Sequence, residues 1–304
     1  MDKEEHVLDP YQPHEPESRA VAVNLLKGGS GKTTTAINLA RELAHRNGQA
    51  LVIDLDDNGH MTLNLGYEDL YASADDEEDN HAKSVIVEGA DPREHIVSVA
   101  DGLDLFPAHE DLETVQSALK EATMGTTRLK KNIVDPLLGD EYDYIIVDCP
   151  ANRGKLNDNA MYATENIILP LRPENGYESG LTNTMNRLVK EAREYFDLNI
   201  LAVVPTDLRA RIDYDTRDRS LLEELNGLSN ADAIIPNFAR LTESDWQDID
   251  DGDYDGPLPG IRHRSAIDKA HDVGKPLRDY DSDCDQLPYY AELAAIVETG
   301  EVVR

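Results

Sequence analysis

Cysteine and long apolar runs are both scarce in this sequence of 304 residues. The two cysteines, Cys149 and Cys284, are too few for the disulfide framework of a small secreted domain. No apolar run approaches the roughly 20 residues that a membrane-spanning helix needs, and no secretory signal pattern is present. These absences exclude a disulfide-rich scaffold and predict a cytoplasmic protein without a membrane span.

Basic residues are also few. The chain has 29 Lys and Arg against 61 Asp and Glu, a formal charge of -32, while 40% of its residues are hydrophobic. Since the hydrophobic residues include runs typical of buried strands, the acids must lie on a folded surface, and we expect a salt-adapted, halophilic source. In residues 289–304 the only basic residue is Arg304, which disfavours a cationic membrane-surface helix.

Short apolar runs alternate with helical patterns along most of the chain. The runs typical of strands are 20–23, 50–55, 103–106, 144–147, 167–169 and 200–204. A helix is predicted over 33–47, ending at Gly48. Strands alternating with helices predict an α/β fold with a mainly parallel twisted sheet and helices on both faces. Ligands of such sheets bind at the carboxyl ends of the strands.

Composition also suggests how the chain is divided. Residues 1–18 are polar, contain three prolines and show no period, which predicts a flexible acidic tail. Residues 19–304 show no internal repeat and no linker, so we expect a single domain. Two acidic stretches, near 67–83 and near 243–258, are interpreted as surface insertions.

The run Lys27-Gly28-Gly29-Ser30-Gly31-Lys32-Thr33-Thr34 lies between a predicted strand and a predicted helix. In this setting, glycine-rich backbone N–H groups surround phosphate oxygens at the positive end of a helix dipole. Lys32 is predicted to reach the β- and γ-phosphates, and Thr33 to bind Mg²⁺. The sequence thus predicts a P-loop NTPase domain whose cofactors are ATP and Mg²⁺.

The loop departs from the usual P-loop pattern, because Leu26 occupies the first glycine position and Lys27 follows it. This arrangement resembles the deviant Walker A loop of the ParA/MinD family of ATPases. The resemblance implies that Lys27 crosses an ATP-sandwiched homodimer to touch the partner's phosphates, as an arginine finger would. The alternative is an exposed lysine in a glycine turn.

Two further strands end in carboxylates. The strand 144–147 leads into Asp148, the form of a Walker B element that holds Mg²⁺. The run Asp54-Leu55-Asp56 places two carboxylates on one side of its strand and resembles the family's D-x-D-P-Q motif, which implies that Asp56 positions the attacking water. Acids that merely end a strand are the alternative. Cys149, after Asp148, suggests a small buried residue rather than an iron–sulfur ligand.

Two departures from the family pattern bear on turnover. Asp57-Asn58 stands where Pro-Gln is usual, and Ala151-Asn152 replaces Pro-Ser. They leave open a nucleotide-switched adaptor that binds ATP but scarcely hydrolyses it. Elsewhere, the run 251–256 opens like a calcium-binding loop, but its twelfth position is Arg262, so an acidic loop is favoured.

The resemblance implies a ParA/Soj-like partitioning ATPase that binds DNA nonspecifically at the nucleoid in its ATP state and is stimulated by a ParB-like partner. DNA binding needs basic contacts, and the dense basic cluster consists of Arg209, Arg211, Arg217 and Arg219. Pairing of these arginines with nearby acids is the alternative. A MinD-like ATPase that positions a cargo is the second functional candidate.

Overall fold

The computed structural model describes residues 17–46, 48–72, 80–174, 177–209 and 217–304. Most of the predicted tail, the acidic run 75–79 and Arg211 lie outside these residues. Within them, seven strands form one sheet in the order β3-β4-β2-β5-β1-β6-β7. The strands are β1 Arg19–Val23, β2 Ala50–Asp54, β3 Val97–Ala100, β4 Leu103–Phe106, β5 Tyr144–Asp148, β6 Asn166–Leu171 and β7 Asn199–Pro205.

The sheet confirms the predicted fold class. All strand pairs are parallel except β3 with β4, which form an antiparallel hairpin at one edge. Strand β3 was not predicted, because its residues are only partly buried and show no apolar run. The dipeptide Asp101-Gly102 between the two strands, with Gly102 at φ 72°, is a hairpin signal that the sequence reading missed.

Helices flank the sheet. In the described residues they are α1 Lys32–His45, α2 His60–Asn64, α3 Glu68–Tyr71, α4 His81–Lys83, α5 Leu112–Glu121, α6 Asp135–Leu137, α7 Lys155–Thr164, α8 Tyr177–Thr184, α9 Lys190–Ala192, α10 Arg217–Asn226, α11 Ala231–Ile234, α12 Glu243–Asp251, α13 Ser265–Asp272, α14 Leu277–Tyr280 and α15 Leu287–Thr299. π-helical turns over Ser84–Glu88, Lys130–Val134 and Met185–Val189 adjoin α4, α6 and α8, and 3-10 turns cover Pro92–Glu94, Gly125–Thr127 and Asn237–Ala239. None of the helices in these residues is long and apolar enough to cross a membrane.

Buried side chains lie on both faces of the sheet. Because successive side chains of a strand point to opposite faces, Ile146 of β5 packs in one apolar cluster and Ile145 in another. The first cluster contains Leu43 of α1 and Leu293 of α15, and the second contains Val115 of α5. The sheet is therefore covered by helices on both sides, as the alternating pattern predicted.

The acidic stretch near 243–258 is divided between a helix and a loop. Its first half is helix α12, which begins with a capping box between Thr242 and Asp245 and ends at Gly252 in the left-handed conformation, φ 80°. Of the acidic loop favoured over 251–256, Asp251 is the last residue of the helix and residues 252–256 lie in a loop. The missed signal was the Thr-x-x-acid pattern, a helix start that the density of acids had obscured.

Candidate nucleotide-binding site

The glycine-rich loop connects β1 to α1 at the carboxyl edge of the sheet. Gly29 has φ 71° and Gly31 has φ 88°, conformations that glycine adopts without strain. A Cβ at Gly31 would lie 3.0 Å from Thr206 Cγ2, so a larger residue would also crowd Thr206. Gly31 caps α1 without a side-chain hydrogen bond. The first N–H groups of this 14-residue helix are therefore available to an anion.

The two lysines of the loop have different surroundings. Lys32 is 6% exposed, and its Nζ donates a hydrogen bond to the backbone oxygen of Lys27 at 3.2 Å. The Lys27 side chain is more accessible, at 21%, and its Nζ lies 3.4 Å from Glu174 Oε2. Lys32 thus belongs to the interior of the loop, whereas Lys27 contacts a neighbouring part of the chain.

Thr33 and Asp148 are brought together by the topology, since β1 and β5 are neighbours in the sheet. Thr33 Oγ1 donates a hydrogen bond to Asp148 Oδ2 at 2.7 Å. Asp148 is fully buried, and its Oδ1 has no hydrogen-bond partner among the residues that the structure describes. Burial, and then the charge of Asp54, raise the pKa of Asp148 well above its usual range. A hydroxyl beside a carboxylate with an unpartnered oxygen suits a hard divalent cation such as Mg²⁺.

Asp54 and Asp56 occupy different environments although they are two residues apart. Asp54 accepts hydrogen bonds from the Thr62 backbone N–H at 2.9 Å and from Thr62 Oγ1 at 2.7 Å, and burial raises its pKa to about 6. Asp56 accepts from the backbone and side-chain nitrogens of Asn58 at 3.2 and 3.0 Å. Burial opposes its ionisation, but hydrogen bonds with Asp57 and Asn58 outweigh burial and lower the pKa of Asp56. Asp56 is therefore a carboxylate at neutral pH.

Most of the predicted residues line one cleft of about 270 Å³ at this edge of the sheet, but Lys27 and Asp148 are not part of its lining. Its walls are formed by Gly28, Gly29, Ser30, Gly31, Lys32, Thr33, Thr34, Asp56, Asn58, His60, Asn64, Ala151 and Arg172. A second hollow of about 110 Å³ shares Gly31, Thr34 and Arg172 with the first and extends to Thr206, Asp207 and Ile261. The phosphate loop therefore lies between two adjoining hollows.

Sequence reasoning assigned no site role to four residues of this region: Arg172, Glu174, Asp207 and His263. Arg172 Nη1 donates to the backbone oxygen of Gly29 at 2.9 Å, and its guanidinium also pairs with Asp207. His263 Nδ1 lies 2.9 Å from Asp207 Oδ1. The available signal was position, because residues that follow β6 and β7 lie at the same carboxyl edge as the glycine loop.

The predicted basic cluster does not stay together. Arg209 and Arg217 are exposed and line an open hollow of about 430 Å³ with Arg172. Arg219 is instead paired with Asp250 at 2.5 Å and Glu223 at 2.7 Å, and its guanidinium lies 5.0 Å from the centre of the Trp246 ring. Among the described arginines of the predicted cluster, Arg219 therefore pairs with nearby acids, which was the alternative to DNA binding. Cys149 is buried, as predicted for a small core residue.

The chain is similar to known proteins over most of its length. Residues 18–200 match a family model described as an AAA domain. The chain is 30% identical over 285 residues to the chromosome partitioning protein ParA of Caulobacter vibrioides, covering 93% of this chain and 95% of that protein. It is 32% identical over 232 residues to the sporulation initiation inhibitor protein Soj of Bacillus subtilis, covering 74% and 87%.

A solved structure shares the fold. It is a crystal structure described as a putative plasmid partition protein from Borrelia burgdorferi bound to AMPPNP. The two structures align with a TM-score of 0.66 and 20% sequence identity, over 93% of this chain and 100% of that chain. At this identity the likeness shows the fold of the sheet and its helices.

Proposed function

The chain belongs to the ParA/Soj family of partitioning ATPases, and we propose that it hydrolyses Mg-ATP and forms a homodimer in its ATP state. The observation that carries this proposal is the division between the two lysines of the loop. Lys32 is buried against the loop backbone, while Lys27 is accessible and contacts a neighbouring segment. This difference supports a role for Lys32 toward a nucleotide in its own subunit and a role for Lys27 outside it.

In the nucleotide-bound state, the backbone N–H groups of residues 28–34 and the Lys32 ammonium would hold the phosphates. Thr33 and Asp148 would hold Mg²⁺, which neutralises charge on the phosphate oxygens when bound. The AMPPNP complex of the Borrelia burgdorferi protein supports the proposal that a protein of this fold binds a nucleotide. Each of these groups lies on the cleft or is hydrogen-bonded to a residue that does.

Asp56 is proposed to orient the water that attacks the γ-phosphate. It is ionised at neutral pH and lies in the same cleft as Lys32 and Thr33. Two hydrogen bonds from Asn58 fix its carboxylate, so Asn58 takes part in positioning Asp56 where the family usually has glutamine. This contact supports a working catalytic carboxylate despite the altered motif.

Lys27 is proposed to cross the dimer interface and neutralise charge on the partner's phosphates. Groups that act this way from another subunit accelerate phosphoryl transfer by about 10³ to 10⁵ in other systems. Nucleotide binding and self-association would then be linked, because Lys27 completes a site only in the dimer.

DNA binding at the nucleoid, and stimulation by a ParB-like partner, complete the proposal. With a formal charge of -32, the surface as a whole repels DNA, so binding depends on a local basic patch. Arg209 and Arg217 are the described candidates, since both are exposed on one hollow. Arg219 is left out of the patch because two carboxylates and an indole ring hold it.

The experiment measures molecular mass, DNA retention and phosphate release with and without Mg-ATP, in molar KCl to suit the acidic surface. The wild type should form an ATP-dependent dimer that retains DNA. Asp56→Ala should trap that dimer, because hydrolysis no longer dissolves it. Lys27→Ala should bind nucleotide but lose turnover, whereas the control Lys83→Ala, a surface lysine paired with Glu88 at 3.9 Å, should behave as wild type.

Two results would sink the proposal. A wild-type protein that stays monomeric and ignores DNA with Mg-ATP is not a partitioning ATPase. A protein that dimerises with ATP but releases phosphate no faster than Asp56→Ala is a nucleotide-switched adaptor.

A further inference from the structure

A network of charged side chains, formed by Lys27, Glu174, Arg172, Asp207 and His263, links the glycine-rich loop to the segments that follow β6 and β7. Lys27 Nζ lies 3.4 Å from Glu174 Oε2, and Glu174 Oε1 lies 3.6 Å from Arg172 Nε. Arg172 pairs with Asp207, and Asp207 Oδ1 lies 2.9 Å from His263 Nδ1. Of the residues in this network, only Lys27 belongs to the glycine-rich loop.

The backbone fixes the middle of this network, which is formed by residues 172–174 and 206–207. Residues 172–174 directly follow β6 and residues 206–207 directly follow β7, and these strands pair through Leu171 and Pro205. The Thr206 N–H donates to the Leu171 oxygen at 2.8 Å, and Arg172 donates to the Gly29 oxygen of the loop at 2.9 Å. Glu174 therefore stands beside Lys27 because of the sheet and the loop, not because of a chance surface encounter.

We propose that Glu174 is a positioning residue that restrains Lys27 within its own subunit, so that the dimer forms only when this ion pair opens. The proposal rests on the proposed cross-subunit role of Lys27. The Lys27 ammonium is within ion-pair distance of Glu174 in its own chain, so reaching a phosphate carried by another subunit requires the lysine to leave that carboxylate. The pair thus competes with dimerisation and holds the free protein in the monomeric state.

The size of the effect follows from the exposure of the pair. The side chains of Lys27 and Glu174 are 21% and 48% exposed, and partly exposed pairs of this kind change an equilibrium by about two- to fivefold. A symmetric dimer opens two such pairs. Removing the restraint should therefore lower the dimer dissociation constant by about 4- to 25-fold.

The experiment compares Glu174→Gln with wild type by sedimentation equilibrium in AMPPNP and Mg²⁺. Glu88→Gln is the matched control, because Glu88 pairs with Lys83 on the surface and the substitution removes the same charge. The expected result is a 4- to 25-fold tighter dimer for Glu174→Gln and an unchanged dimer for Glu88→Gln. At low protein concentration the ATPase rate of Glu174→Gln should rise, since the substitution favours assembly of the dimer in which Lys27 completes the site.

A double variant shows whether the effect acts through Lys27. In a Lys27→Ala background, Glu174→Gln should change nothing further, because the restrained group is gone. A dimer of Glu174→Gln that is as weak as wild type, or weaker, overturns the restraint, and so does a tightening that persists without Lys27. If wild type and Glu174→Gln both remain monomeric, the proposed function fails together with the restraint, whereas a dimerising wild type with an unaltered variant refutes only the restraint.

Discussion

The Asp148→Asn variant separates the stability of the nucleotide-free protein from its binding of Mg-ATP. Asp148 is fully buried, and in the described part of the chain its Oδ1 has no hydrogen-bond partner. Burial, followed by the charge of Asp54, raises its pKa. A buried polar atom left without a hydrogen bond costs about 1 to 3 kcal/mol, and the cost is larger when the group is charged. Asparagine has the same shape and carries no charge, and its side-chain oxygen still accepts the hydrogen bond from Thr33.

We therefore expect the nucleotide-free variant to be more stable than wild type by about 1 to 3 kcal/mol. For a chain of this length, 1 kcal/mol shifts Tm by about 2 °C, which predicts an increase of about 2 to 6 °C. Differential scanning calorimetry in molar KCl with EDTA measures this change. The same scan with AMPPNP and Mg²⁺ should stabilise wild type by about 2.7 kcal/mol at 100 times the Kd, and the variant should lose most of that gain.

Asp143→Asn is the matched control for this prediction. Asp143 immediately precedes β5, at the opposite end of the strand from Asp148, and its exposed carboxylate accepts a hydrogen bond from the Gln49 N–H at 2.8 Å. Its neutralisation should leave both scans close to wild type. If Asp148→Asn instead melts below wild type without nucleotide, or gains as much stability from Mg-AMPPNP, then the carboxylate is structural and the assignment to the metal is wrong.

Three further predictions concern the packing of α13 and α14 beside the site. Glu42 is 1% exposed and accepts two hydrogen bonds of 2.7 Å from Arg278, so Glu42→Gln should lower the free energy of unfolding by about 2 kcal/mol in urea titrations; an unchanged midpoint would refute this. Gly274 has φ 68°, and a Cβ there would lie 3.2 Å from the Gly66 Cα. Gly274→Ala should therefore cost about 1 to 3 kcal/mol in the same assay. The cost should exceed that of Gly252→Ala, which has a similar φ of 80° but no atom of the described residues within 4 Å of the added Cβ. Burial lowers the pKa of His271, so between pH 7 and pH 5 the unfolded protein takes up a proton before the folded protein does. The free energy of unfolding of wild type should therefore decrease relative to that of His271→Gln as pH falls. Parallel curves of unfolding free energy against pH for the two proteins would contradict this.

The centre of the fold could be predicted because each central strand is coded locally. The run Tyr144-Ile145-Ile146-Val147 is buried on both faces of the sheet, and such strands appear in a sequence as unbroken apolar runs. The edge strand β3 could not be found this way, since only one neighbour and partial burial act on its residues. Helix α12 was missed for a related reason, because its nine residues include no fully buried side chain.

In the candidate site, too, some residues can be identified from local sequence, and others are brought together only by contacts between distant parts of the chain. Lys32 and Thr33 lie in one contiguous motif, and Asp148 ends a strand that any apolar-run search detects. The contact between Lys27 and Glu174 joins residues 147 positions apart, and the local sequence around neither residue predicts it. Only the order of the strands, with β6 beside β1, brings the end of β6 to the glycine loop.

This dependence on strand order bears on how the loop would be controlled. The buried lysine contacts the backbone of its own loop, so its position is set by the glycine motif and should tolerate change elsewhere in the chain. The accessible lysine instead contacts a carboxylate that β6 supplies, and that carboxylate contacts Arg172, which in turn reaches Asp207 after β7. A substitution at the ends of these two strands can therefore alter Lys27 without touching the glycine motif. In this fold, the phosphate-binding half of the loop is specified by local sequence, and the half proposed to govern assembly is specified by the sheet.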